Sequence, residues 1–503
     1  ADAGVHVAGG LGVTFAVALP TADVTVDVHG ELRADAVSEK HTGITIHAEL
    51  DTNEESVAMS GLGGAAAPAS GGSSLSIPVQ SFISTYILPI VNGLFFNGVG
   101  SILGVQLDLS TSMALINSDN NVAATVHGDA TIGSLLDLNL QSTLVSRVRT
   151  FSESVVIQNP VVKPVDNVVS VAAAVGLFEN RSTATVHEGA VLDASRNLTV
   201  NATTEYPFNE PLVLVEEGGT RTIEIVGNSW ARSHSENGKS DVAGSVTYQD
   251  YQNVTSATIG DHVVVNQSTD YSSPRQSVSV TADSDVYTLD IAGLFELVID
   301  VTAITNTTAY QTAFLSGGLQ GLLAAIKAGF VTSWNASDLD FGAGSEKTGV
   351  GGSYANVRID NETTATIGDS VRLKTGMEGE LIVDADAQVH QYSFAMSGIE
   401  GGEAGIAGSW ARNKHKIYTT ASIGSGGEIV AGAISVTSDS NLLAMGFGGG
   451  VVQGGNYGVG VSIGTSDVDR QTKAYIGSIS DPGIGGLILT RGPIAVAARN
   501  QGG

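Results

Sequence analysis

The sequence predicts an all-β fold, a right-handed parallel β-helix (β-solenoid) with short helical or loop insertions. Three observations predict it. A degenerate phrase recurs at a regular interval, the segments between its copies alternate with period 2, and hairpin signals are rare and out of phase. An array of β-sandwiches is the competing architecture.

The phrase is TSATIGD at 255–261 and TTATIGD at 363–369. Its relatives place an alanine at Ala130, Ala184, Ala257, Ala365, Ala421 and Ala474. The intervals are 54, 73, 108, 56 and 53, and the 108 suggests a hidden copy in QTAFLSG at Ala313. A period near 54 is the mark of a repeat array, and a unit of that length suits roughly two coils. Twelve residues before four of these alanines stands a serine: Ser245, Ser353, Ser409 and Ser462. After each corner comes a second string, written NLTVNATTE, SVSVTADSD, LIVDADAQ, AISVTSDSN and PIAVAARN. The distance from corner alanine to central valine runs from 15 to 23 residues. Strand lengths are therefore constant and one loop absorbs insertions. The glycine after the isoleucine suits a tight bend or a positive φ at a strand end.

Composition fits a thin core. Glycine is 63 of 503 residues, without a triplet period, and aromatics are 6%. The apolar 42% is mostly small and β-branched residues. The net charge is −28, which disfavours nucleic acid as a partner. No cysteine is present, which excludes thiol catalysis and Cys-ligated metal sites.

Two regions are expected. Residues 1–119 form an N-terminal segment with an uncharged apolar insertion at about 56–107, and residues 120–503 carry the repeat. Within the latter, about 314–333 read as a helical insertion. The apolar stretch at 81–105 holds Pro89, Asn92, Gly93 and Asn97, which argue against a transmembrane anchor in this segment. Neither end of the sequence shows a cap, so the chain reads as a piece of something longer with open strand edges at both ends.

Catalytic motifs are tested and dismissed. GVSIG at 460–464 matches Gly-x-Ser-x-Gly but lies inside a strand pattern with no helix behind it. The upstream glycine of a phosphate loop ending in NGKS at 237–240 is a serine, Ser233. No HExxH occurs, and the Asn-Thr-Asp, Asp-Asp, Gly-His-Gly and Arg-Ile-Lys strings of pectin hydrolases are missing. A polysaccharide-binding or polysaccharide-cleaving β-helix enzyme remains the alternative function. Asp-x-Asp pairs put two carboxylates on one face of a strand, where they repel or share a cation. Asp283 with Asp285, Asp384 with Asp386, and Asp467 with Asp469 are the calcium candidates, against a solvated acidic edge. Eight Asn-x-Ser/Thr sequons mark glycosylation candidates at Asn180, Asn197, Asn201, Asn253, Asn266, Asn306, Asn335 and Asn361. Plain polar loop chemistry is their competing reading.

The corners ATIGD at 257–261 and 365–369, ASIGS at 421–425 and AYIGS at 474–478, with the VSVTADS and ISVTSDS strings, resemble the repeats of large bacterial surface adhesins. These are the filamentous haemagglutinin-like and leukotoxin-like proteins. The resemblance covers roughly residues 120–503. It implies a secreted, non-enzymatic structural or adhesive protein at the cell surface. The partners it implies are further copies of the chain, joined end to end or laterally, and glycans of host or neighbouring cells. Physical reasoning adds that open strand edges are satisfied by stacking.

Overall fold

The computed structural model describes residues 5–7, 9–34, 43–62, 107–157, 167–207, 212–215, 222–225, 227–293, 343–454, 456–477 and 485–502. Among them it is all-β with parallel sheets and no helix.

The strands recur as a unit of long strand, short strand, long strand. The first unit holds β1 (Val5–Val7), β2 (Gly9–Ala18) and β3 (Thr21–Val28), then β4 (Glu31–Ala34) and β5 (Ile44–Leu62). The second is β6 (Leu107–Val126), β7 (Thr131–Ser134) and β8 (Leu138–Ile157). The third is β9 (Asn167–Val186), β10 (Val191–Ala194) and β11 (Asn197–Tyr206). A small antiparallel pair, β12 (Leu212–Val215) and β13 (Thr222–Ile225), interrupts it. The start of β14 (Ser229–Ile259) then completes this unit, pairing with the end of β8. After register shifts between Glu236 and Ser240, the rest of β14 opens the fourth unit, with β15 (Val264–Val265) and β16 (Ser277–Ala292). The fifth is β17 (Ala343–Ile367), β18 (Arg372–Lys374) and β19 (Glu380–Gly401). The sixth is β20 (Ala404–Ile423), β21 (Glu428–Ala431) and β22 (Ala433–Gly454). The last is β23 (Tyr457–Ile476), β24 (Leu487–Thr490) and β25 (Ile494–Gly502).

Each strand pairs in parallel with its counterpart one unit on. The short strands form one seven-stranded ladder in the order β24-β21-β18-β15-β10-β7-β4. The first long strands pair as β6–β9–β14–β17–β20–β23. The second long strands run β11–β16–β19–β22–β25. Each ladder therefore advances one rung per unit. A unit contributes one rung with strands of about 20 residues, where the period alone suggested roughly two coils.

The register corrects the alanine series. The corner column runs Ala124, Ala184, Ala257, Ala365, Ala421 and Ala474. Ala130 lies six residues beyond this column, where its carbonyl accepts from the Val191 amide at 3.0 Å. Ala257 pairs directly with Ala365, so no rung remains between them for Ala313. Ala313 and the expected helix at 314–333 lie outside the described residues, as do 63–106 of the apolar insertion. Residues 56–62 belong to β5. The serine column and the central valines Val200, Val280, Val383, Val436 and Val496 are in register as the strings suggested.

The interior changes along each long strand. Beside the short strands it is aliphatic, with Ile132, Leu192, Ile259, Val280, Ile367 and Val383 fully or almost fully buried in one cluster. Next come the four in-register asparagines Asn120, Asn180, Asn253 and Asn361, all buried. Asn120 Nδ2 donates to Asn180 Oδ1 at 3.0 Å. Beyond them lie Phe178, Tyr206 and Tyr251, with the first and last stacked at 5.0 Å. The far end holds mostly small residues, with Val156, Val168 and Ile399 buried at its tip. Ala292, Ala355, Ala395 and Ala411 pack together, and buried serines bridge the layers, as in Ser112–Ser152 at 2.7 Å. Alternation with period 2 puts all of these on one face of each strand.

The recurring phrase is a stitch between units. The glycine after isoleucine has the expected positive φ at Gly477 (95°) but not at Gly260, Gly368 or Gly424. It is needed because successive corners nearly touch. A Cβ on Gly368 would sit 2.3 Å from Asp261 Oδ1 and 2.8 Å from the Asp261 amide nitrogen. That space lets the Asp261 carboxylate accept the Asp369 amide at 2.7 Å, and the Asp369 carboxylate accept the Ser425 amide at 2.6 Å. The positive φ falls two residues later, at His262 (56°), Ser370 (57°) and Gly426 (71°).

Candidate functional site

The acidic pairs predicted from sequence divide between two places. Asp283 pairs in register with Asp386, and Asp386 with Asp439. Asp384 lies beside Thr281 and Thr437 in the neighbouring column, and Thr437 Oγ1 donates to it. Asp285 stands in the column of Glu205 and Gln388. These side chains alternate with buried Val280, Ala282 and Val286, so they point outward from β16, β19 and β22. Asp467 and Asp469 are elsewhere, on β23, in register with Lys414 and Lys416. Tyr418 donates its hydroxyl to Asp469 at 2.8 Å. The six calcium candidates therefore form no single site.

The carboxylate columns are electrostatically strained. Partial burial and then Asp384, Asp386 and Asp285 push the Asp283 carboxyl up to about 6. Burial, Asp386 and Glu205 raise Asp285 to about 6 as well. Asp386 is raised by burial and by Asp384 and Asp439, against a hydrogen bond from Gln388 at 3.4 Å. Like charges stacked at rung spacing repel, which favours the protonated form. Arg499 offers Asp439 the nearest countercharge at 3.5 Å. Among the described residues, no group of three or more His, Asp or Glu side chains is arranged to hold a metal ion.

Sequence reasoning missed Asp439 and Glu205 in this cluster. Aligning the strings SVSVTADSD, LIVDADAQ and AISVTSDSN on their valines puts Asp283, Asp386 and Asp439 in one column. It also missed Asp290, which is fully buried on β16 and raised to about 7 by desolvation. Ser229 Oγ donates to Asp290 at 2.8 Å, and the Tyr251 hydroxyl lies at 3.5 Å.

The sequons need correction. Asn180, Asn253 and Asn361 are three rungs of the interior asparagine column and are buried. Asn266 is buried too, and its Oδ1 accepts the Ala194 amide at 2.9 Å. A glycan has no room at these four positions in the folded chain. Asn180, Asn266 and Asn361 each use at least one side-chain atom on a buried polar partner. Asn197 is exposed and Asn201 half-buried, while Asn306 and Asn335 lie outside the described residues.

The GVSIG serine, Ser462, sits mid-strand in β23 and accepts from Ser409 Oγ at 3.1 Å. No helix follows it among the described residues. Among the described residues no helix is long and apolar enough to cross a membrane.

The outer surface of the last three units is distinct. Val350, Ile406, Trp410, Val459, Val461 and Ile463 are 37–55% exposed there. Strands β23, β24 and β25 have a ladder partner on one side only among the described residues. No family model, curated protein or solved structure matches this chain.

Proposed function

We propose that the units wind as a right-handed parallel β-helix and that the chain is a non-enzymatic structural and adhesive protein of the cell surface. The carrying observation is the triple register. First long strand, short strand and second long strand each meet the same element of the next unit, in parallel and in the same order. A chain that rises one rung per circuit produces this pairing, and antiparallel sandwich repeats do not. Non-enzymatic work is favoured by how the chain spends its polar residues. Its inward polar groups form ladders with one another, and its acidic columns lie on a sheet face where the nearest base, His390, packs edge to face on Tyr287 at 4.8 Å.

The open edge of β23, β24 and β25 favours growth. A further unit there, supplied by more chain or by a second copy, would pair its backbone groups and cover its exposed valines and isoleucines. The reading is thus a self-associating fibre subunit or a stretch of a long adhesin stalk.

Electron microscopy and fibre diffraction test it. Rods are expected whose 4.8 Å spacing lies along the rod axis, with about 34 Å contributed by each copy of seven rungs. Compact particles that stay monomeric at high concentration, with no axial 4.8 Å spacing, would exclude it.

A further inference from the structure

We propose that the outward face of β17 and β20 binds an acidic, uronate-bearing polysaccharide. The inference rests on the adhesive reading above and names what that surface takes. Two glycines in register, Gly352 and Gly408, lie on this face. A Cβ on either would meet no atom within 4 Å, so the pair leaves a trough in the sheet surface. One wall is Val350 and Ile406, at 37% and 51% exposure. The other is Tyr354 and Trp410, whose rings meet edge to face at 5.4 Å.

Trp410 is 41% exposed, yet its indole N–H is already used, donating to Thr465 Oγ1 at 3.2 Å. The ring is therefore held in place and offers an apolar surface with no unmet polar group. Such a surface suits the C–H faces of pyranose rings. The trough runs along the stacking direction across β17 and β20 and ends at Val461 on β23, which stands in register with Gly408, so it suits a short stretch of a sugar chain.

The chemistry of the polymer follows from charge. Farther along the outward face of β20 from Trp410, Arg412 and Lys414 are exposed and form no ion pair among the described residues, although Asp467 stands beside Lys414 on β23. Their neighbours are matched instead: Arg358 with Asp250 at 3.7 Å, and Lys416 with Asp360 at 3.3 Å. Arginine presents a planar fork that fits a carboxylate. Nucleic acid, the other extended polyanion, needs many more cations than two. Asp467 and Asp469 bound the cationic spot on the β23 side.

Binding of the full chain to polygalacturonate, with a neutral cello-oligosaccharide as control, tests the proposal by isothermal titration and affinity electrophoresis. Saturable binding to polygalacturonate alone is expected, weakening as salt rises. Trp410→Ala should weaken it at least tenfold. Arg412→Gln with Lys414→Gln should do the same and flatten the salt dependence, while Lys473→Gln changes nothing. All these side chains point outward, and unchanged thermal melts will show that the variants fold. If Trp410→Ala alone misfolds, the double cation variant decides. Absence of binding, equal binding of the neutral control, or binding untouched by both variants overturns the proposal. Loss of self-association in Trp410→Ala without any polygalacturonate binding would assign the trough to a second copy and overturn it too. Rods without glycan binding would remove this site and leave the structural reading standing.

Discussion

The two ends of each unit are built from different materials. Beside the short strands, large aliphatic side chains from three directions fill a wide interior, with Ile259, Ile367 and Val383 fully buried. At the far end only two layers meet, and the space between them holds Ala355, Ala411 and hydrogen-bonded serines. A wide interior is stabilised by burying apolar area. A narrow one has little such area to bury, so close backbone approach and paired hydroxyls take its place. The chain segments 63–106, 158–166 and 294–342 each join the narrow end of one unit to the narrow end of the next. The longest insertions thus fall where the least apolar packing is interrupted, while shorter ones fall at the wide end, between β15 and β16 and between β23 and β24.

Cavity formation offers the sharpest break of that contrast. Ile367→Ala at the wide end should cost about 2–5 kcal/mol, read as a fall in the chemical-denaturation midpoint. A loss under about 1 kcal/mol there would mean that the aliphatic end is not the main source of stability.

Overpacking is the complementary trial at the narrow end. Ala411→Leu, among Ala292, Ala355 and Ala395, should destabilise by about 1–3 kcal/mol, because those three side chains already pack against it. The same enlargement tolerated without loss would show that the two layers separate easily.

The smallest expected effect concerns the polar zone between the ends. Asp290 has a folded pKa of about 7, above its unfolded value, so the folded state holds the proton more tightly. Its contribution to stability is therefore best at low pH and declines as pH rises from about 4 to 7. Asp290→Asn should raise stability at pH 8 by about 1 kcal/mol or more and leave it nearly unchanged at pH 4. His415, held down to about 4 by burial and by Arg470, acts in the opposite sense, losing stability as pH falls below 6.5. The comparison is therefore between the pH profiles of the two proteins, by thermal melts. Parallel profiles would show that Asp290 does not titrate across this range.

Much of the ladder order was legible in the sequence, because parallel neighbours share a backbone and repeat its demands. Gly368 and Asp369 recur for a reason of contact between units, and so do Ser353 and Val383. Unit size was not legible. Short strings mark the aliphatic end of each strand and, at the narrow end, the serine column, while Ala355, Ser393 and Gly446 there look like loop composition. The long interval between Ala257 and Ala365 was read as two units because period alone cannot separate a hidden rung from an insertion. The acidic columns were half legible. Asp-x-Asp reveals neighbours along a strand, whereas the repulsion on Asp283 comes largely from Asp384 and Asp386 on the adjoining strand. The buried sequons show the same limit, since an asparagine column and a glycosylation signal share one spelling.

Strand length has a mechanical consequence. Neighbouring units are joined along strands of about 20 residues, with the short strand and the corner carboxylates adding to each junction. Parting two units along the stacking direction loads these bonds together, so no single junction yields one bond at a time. Adding units extends the reach of the molecule and leaves every junction as strong as before. Tensile strength is set by how wide a rung is, and span by how many rungs there are, so selection can lengthen the protein without weakening it.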